Sequence, residues 1–518
     1  MIRRLLTAAG IVLVAVSGVT LVRSGASMVV DAASFGDLGA GGEFHALSPA
    51  RVVDTRQWAT APRMDPEGRS FSVDIVGLGG LPAPIDDDGD GLDDRVLAVA
   101  MTVTVVDPSA DGFLSMRGVG AARGESSLVN FVAHDDVPNS AIIRPGVGGA
   151  VEVTLTAPWV RRGSADVLID VFGWFSTSVH TERGARLVPT QPFRLIDTRR
   201  VQSPLGPDSI LKVDVRGRGP VPVGSEVIGL VANLTAVNDL VTSEDTYLSV
   251  LPSVPSSGPT TSNVNLRAGA TRPVSVIVPL AEDGSVSVFN RSGEVHVLID
   301  VMGYLVTGAQ SSSRAGRVVP LVSPVRVLDT RQESHGEQPA GPGVIEAWSM
   351  DRFVERVAVN GSWIGPQSAV IGNLTATGLR QESAIAVGST FVTVSPAGGS
   401  LPDASILNVV PGRDVANMAL VTFGATSEAD RAVVFRNAFG YVDLVLDAAA
   451  VVLDEWPEPT TTTSTSTTTS STSTTTSSTS TTTSSTSTTT SSTTTSTSVS
   501  PATTATSTPI TESAAGGR

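Results

Sequence analysis

Three hexapeptides set the plan of this chain. RVVDTR stands at Arg51–Arg56, RLIDTR at Arg194–Arg199 and RVLDTR at Arg326–Arg331, so their aspartates Asp54, Asp197 and Asp329 are 143 and 132 residues apart. Each hexapeptide opens a run of the same milestones in the same order. An apolar strand with a small polar centre follows: VLAVAMTVTVV (Val96–Val106), VIGLVANLTAV (Val227–Val237) and VIGNLTATG (Val370–Gly378). A Ser-x-x-Asn element comes next, at Ser127–Phe131, Ser262–Leu266 and Ser405–Val409. Each copy closes on an aliphatic run with a central aspartate, Asp170, Asp300 or Asp447. A period of this length is too long for a solenoid unit or a single propeller blade, and points to whole domains in a row.

The segments are short, rich in Val, Ile, Leu and Thr, and punctuated by Gly, Pro, Asn and Asp, the pattern of an all-β sandwich or barrel. The expected fold is three tandem β-sandwich modules of jelly-roll-like type over 44–178, 186–308 and 317–455. The third is the divergent copy. Cysteine is absent, so no disulfide framework supports an exported domain; 41% apolar residues supply ordinary cores instead. A net charge of −15 argues against nucleic acid and against anionic membrane surfaces, both of which need a basic footprint.

The two ends place the chain. Residues 1–33 carry Arg3 and Arg4 before an uncharged apolar run, Leu5–Val22, and then small residues suited to cleavage. A signal helix is expected there, either removed as a signal peptide or kept as a membrane anchor. Residues 456–518 contain an unbroken Ser/Thr tract from Thr460 to Ser498, which has no apolar side chain to offset ordering entropy. It reads as a disordered stalk or linker, O-glycosylated or unmodified.

The pairing of an R-h-h-D-T-R opening (h being apolar) with a D-V-x-G-Y/W close resembles a repeated β module of secreted and surface proteins of actinobacteria. There it occurs in tandem with signal peptides and Ser/Thr-rich linkers. The resemblance covers residues 44–455; copy three keeps RVLDTR but has Asp447-Ala-Ala-Ala at its close. It implies location and architecture rather than an activity.

Asp-Thr-Arg invites a catalytic reading, since aspartic proteases use Asp-Thr-Gly. Arginine in place of that glycine holds its neighbour ionised, which defeats a shared-proton dyad. A structural latch suits the residues better. In it Asp54, Asp197 and Asp329 accept turn amides, while Arg56 reaches Asp170, Arg199 reaches Asp300 and Arg331 has Asp447 as its counterpart. The five histidines do not recur at equivalent places, and no G-x-S-x-G or H-E-x-x-H is present. No catalytic residue is assigned.

One segment has a metal-binding spacing. PIDDDGDGLDDR (Pro84–Arg95) sets Asp86, Asp88, Asp90 and Asp94 around Gly91, with Leu92 offering a carbonyl. Oxygens two residues apart on a tight turn can converge on calcium; the alternative is a solvated acidic turn. The loop is an insertion of copy one, because Pro82 and Val96 are 14 apart where Pro222 and Val227 are 5 apart. Trp58 and Trp348 are the candidate exposed aromatics, and Asn233 and Asn373 sit in Asn-Leu-Thr sequons judged coincidental. The expected function is a non-enzymatic structural or adhesion protein, secreted or on the cell surface. Its partners would be envelope or extracellular glycans or proteins. A cell-wall carbohydrate-binding protein is the alternative, and a secreted hydrolase the third reading.

Overall fold

The computed structural model describes residues 41–331, 343–344, 348–349, 367–380, 388–425 and 431–454, except for 88, 94, 158–161, 178–179, 181 and 310–312. The signal segment and the Ser/Thr tail lie outside the described residues. Copy one forms two four-stranded sheets. The first runs, in spatial order, Phe44–Asp54, Asp166–Ser176, Val96–Val106 and Val137–Ile143; the second runs Arg69–Asp74, Ala150–Thr156, Gly112–Gly118 and Val129–Phe131. Copies two and three repeat this order, with the short segments Gly343–Val344 and Trp348–Ser349 serving as the outer strand of copy three's second sheet. Among the described residues the only helical turns are Thr55–Gln57 and Val147–Gly149.

These six sheets are not three separate jelly-roll sandwiches in a row. They are arranged as the blades of a six-bladed β-propeller, two blades per copy. Val137–Ile143, Ala270–Pro279 and Val415–Thr422 are the innermost strands of three blades and pack against one another pairwise. The innermost strands of the other three, Val129–Phe131, Val264–Leu266 and Leu407–Val409, sit between them. The chain crosses back and forth between the two blades of its own copy, which is why its local pattern suggests a closed sandwich. What overturns that expectation is the burial of both faces. Val96–Val106 is buried at every residue but the last, whereas a strand with one wet face would alternate.

Odd-numbered residues of that strand, Val99, Met101, Val103 and Val105, face copy one's own core. Even-numbered Ala98 and Ala100 join Phe172 and Ile142 in a second core that also contains Val231, Ile277 and Met302 of copy two and most apolar residues of copy three. A separated copy would expose that face, at about 1.5–3 kcal/mol for each large side chain. The closing-motif glycine belongs to the same packing. A Cβ on Gly173 would meet the Phe44 ring at 2.3 Å, and Phe44 is itself bridged to Ala185 of copy two.

Polar groups fill the axis. Asn139 is 1% exposed; its amide donates to Asn373 Oδ1 at 2.8 Å and to Leu128 O at 2.7 Å, and its own Oδ1 accepts from Met418 N–H at 3.0 Å. Asn417 repeats the device, donating to Asn233 Oδ1 at 2.9 Å and accepting from Ser275 N–H at 2.8 Å. The third interface has Val274 and Thr102 at these two stations. Ion pairs close both ends. At one, Arg186, buried in copy two, donates to Glu43 of copy one at 2.9 Å. At the other, Asp135 of copy one accepts from Arg272 of copy two at 2.9 Å and from Arg413 of copy three at 2.6 Å.

His45 lies beside the first of these ends, stacked on Trp174 at 4.3 Å, and burial together with the facing His180 lowers its pKa to about 4. Glu43 and Glu182 oppose that shift without cancelling it. A histidine held neutral stabilises the fold fully above its unfolded pKa, near 6.5, and loses that contribution as pH falls toward 4. NMR titration is expected to give His45 a midpoint near 4, and His45→Gln to flatten the stability profile between those limits. A midpoint near 6.5 would contradict the burial.

Candidate functional site

The three hexapeptides build the same junction three times. Asp197 Oδ1 accepts from the backbone N–H of Arg199 at 3.1 Å, and the Arg199 guanidinium closes on both carboxylate oxygens at 2.9 and 2.8 Å. Asp54–Arg56 and Asp329–Arg331 are arranged identically. The threonine ties this turn to the closing strand. Val167, Val297 and Leu444 donate their N–H groups to Thr55, Thr198 and Thr330 at 2.8, 2.9 and 2.9 Å. Each hydroxyl also meets the side chain one residue before that donor, Asp166 at 2.7 Å, His296 at 3.0 Å or Asp443 at 3.4 Å. His296 is thus a buried stand-in for aspartate.

The closing aspartates are held by arginine, but by the first arginine of the hexapeptide rather than the last. Arg51 grips Asp170 at 2.8 and 2.9 Å, Arg194 grips Asp300 at 2.8 and 2.9 Å, and Arg326 grips Asp447 at 2.9 and 3.2 Å. Register explains the correction. Arg51, Arg194 and Arg326 lie directly opposite those aspartates in the antiparallel ladder. Arg56, Arg199 and Arg331 have left the strand for the turn and close on the nearest carboxylate instead. The hydrogen-bonded Arg56 guanidinium holds Asp54 down at about 2, and Arg199 lowers Asp197 in the same way. Burial pushes Asp300 and Asp447 up, against the pull of Arg194 and Arg326.

Each junction lies under the next copy. Ser405 of copy three donates its N–H to Asp300 of copy two at 3.1 Å, and Asp403 stands 3.6 Å from Arg194. Arg326 of copy three donates to Glu125 O of copy one at 2.9 Å. Asp170 of copy one shares a small cavity with Thr261, Ser262 and Asn263 of copy two. The cycle closes, so the recurrent motif fastens strands within a copy and seats the neighbouring copy on top. Asn233 and Asn373 are buried in these interfaces, which removes them as glycosylation acceptors.

In the acidic loop, Gly89 and Gly91 N–H groups donate to Asp86 at 2.8 and 3.1 Å, and Leu92 N–H donates to Asp90 at 2.7 Å. Asp88 and Asp94 lie outside the described residues, and among the described residues no three metal-binding side chains converge. Asp93, which the spacing did not single out, shuts the base of the loop by accepting from Ile85, Arg95 and Val96 N–H groups. Trp58 is 44% exposed and meets Phe71 edge-on at 5.2 Å; Trp348 lies in a short outer strand.

A cleft of about 950 Å³ lies between copies two and three. Copy two contributes Arg194, Arg199 and Asp239; copy three contributes Phe391, Asp403, Asn408 and Arg436, with Leu401 and Val410 beside them. Sequence reasoning missed this site, because its two walls come from different copies.

No protein-family model and no curated protein matches the chain. Among solved structures, one from the Sulfolobus turreted icosahedral virus aligns over 79% of this chain and 92% of its own, at 9% identity and a TM-score of 0.14. A triple jelly-roll structure from an archaeal virus covers 80% of this chain and 90% of its own, at 10% identity and a TM-score of 0.15. A tandem CBM22 domain from Paenibacillus barcinonensis covers 51% of this chain and 93% of its own, at 11% identity and a TM-score of 0.14. At these scores no property of those proteins transfers to this one.

Proposed function

We propose that the chain is a non-enzymatic protein of the cell surface or extracellular space, displaying a closed β head on a Ser/Thr-rich stalk for structural or adhesive contacts. The observation that carries this reading is the use to which the recurrent side chains are put. Every Asp, Thr and Arg of the three hexapeptides is bonded within the scaffold: the last Arg to the Asp of its own turn, the first Arg and the Thr to the closing strand. A general acid or base needs a carboxylate that exchanges its proton near neutral pH. Asp54 is held at about 2, and Asp300 is 1% exposed under a neighbouring copy. The basic and apolar N-terminus, the Ser/Thr tract and the resemblance to actinobacterial surface modules support the location. The carbohydrate-binding alternative gains from the inter-copy cleft.

Fractionation of cells producing the full chain tests the reading. It is expected in the medium or envelope, retained on envelope preparations and without hydrolytic activity; a cytoplasmic pool, or hydrolysis abolished by one Asp or Ser change, would contradict it. Calcium is proposed for the loop of copy one alone, with Asp86 and Asp90 each already oriented by a turn amide. Calorimetry is expected to give a dissociation constant of about 0.1–1 mM, as for extracellular modules, lost in Asp86→Ala. No heat at millimolar calcium would refute that site.

A further inference from the structure

We propose that the cleft between copies two and three binds a neutral oligosaccharide, because its unmatched polar groups call for a ligand that donates and accepts at once. This rests on the extracellular binding role above and names its ligand class. Among the described residues the Arg436 guanidinium has no hydrogen-bond or ion-pair partner, and Asp239 is exposed without one. Asn408 Oδ1 is buried and unpaired. All three line the same cleft.

Charge excludes the simpler ligands. Arg194 and Arg199 are already neutralised by Asp300 and Asp197, and Asp403 by Arg200, which leaves Arg436 and Asp239 as two lining charges of opposite sign. The cleft therefore offers an anion no net positive charge, and a wholly apolar ligand would strand Arg436 and Asp239 without partners. Sugar hydroxyls can donate to Asp239 while accepting from Arg436. Phe391 lines the same wall, and Leu401 and Val410 are 42% and 38% exposed there, offering surface to the C–H faces of the rings. The bidentate pairs hold the Arg194 and Arg199 planes fixed, so little ordering is left for the ligand to impose. A cleft near 950 Å³ is at the upper end of the usual range for ligand pockets.

The chemistry is peculiar to this interface. Arg436 pairs with Thr393 at a ladder station where copy two has Phe289 opposite Ser249 and copy one has Thr154 opposite Ser115. Asp239 lies six residues beyond Asn233, where copies one and three place Pro108 and Leu379 beyond Thr102 and Asn373. The other two interfaces lack both groups, so one ligand per chain is expected.

The test is calorimetric titration of the full chain with cello-, xylo-, manno- and chito-hexasaccharides, with oligogalacturonate of equal length as the acidic control. At least one neutral hexasaccharide is expected to bind with one site per chain. Arg436→Phe, the residue copy two uses at that station, and Asp239→Asn should each weaken it about tenfold or more without changing the melting temperature. Asp239→Asn keeps the test open if Arg436→Phe fails to fold. No binding at millimolar concentration, unchanged affinity in the variants, or tighter binding of oligogalacturonate overturns the proposal. Envelope retention that persists in both variants would separate its failure from that of the display role.

Discussion

Asp300→Ala is expected to destabilise the chain by about 3 kcal/mol, read as a fall in the urea midpoint, because the buried Arg194 loses its bidentate partner and keeps only the longer contacts to Asp197 at 3.4 Å and Asp403 at 3.6 Å. The Arg194 side chain is 11% exposed and donates twice to that carboxylate. Ser405 of the neighbouring copy loses its acceptor as well. Removing both charges should cost far less: Arg194→Met with Asp300→Leu is expected within about 1–2 kcal/mol of wild type, since apolar pairs often replace buried ion pairs without loss. The exposed pair Lys212–Asp283 is the control, and Asp283→Ala should leave the midpoint almost unmoved. Equal losses for the single and double variants would show that the pair is not what holds the junction.

The second large effect lies on the axis. Asn139→Val is expected to cost about 3 kcal/mol or more, because Met418 N–H, Asn373 Oδ1 and Leu128 O each lose a partner where water cannot reach. Adding Asn373→Thr recreates the Thr102 and Val274 pairing of the third interface. The double variant should then lose less than the sum of the singles, with a coupling of about 1–2 kcal/mol measured by denaturant unfolding. Strict additivity would mean that copies one and three do not meet through this amide pair.

Much of this organisation was legible in the residues. The hexapeptides marked where each copy begins, the closing aspartates where it ends, and the strand segments fell between them in the expected order. What could not be read was the partner of each buried group. R-h-h-D-T-R offers two arginines, and only the ladder register puts Arg51 rather than Arg56 opposite Asp170. Asn-Leu-Thr at Asn233 and Asn373 is a polar interruption in an apolar strand, but a bond to another copy leaves no trace in local pattern. One signal was available and passed over. VLAVAMTVTVV is apolar or small on both faces, which is the mark of a strand covered twice, and a free-standing sandwich has no second cover to supply. The cleft was less accessible still, since Arg436 matters only where copy three departs from Phe289 and faces Asp239 of its neighbour.

Differential scanning calorimetry of the full chain tests most directly whether the copies form one closed body. The inter-copy core, the seated junctions and the axial amides predict a single transition with a calorimetric to van't Hoff enthalpy ratio near one. Three resolved transitions, or one broad transition with a ratio near three, would mean that the copies unfold independently and that the ring does not exist in solution.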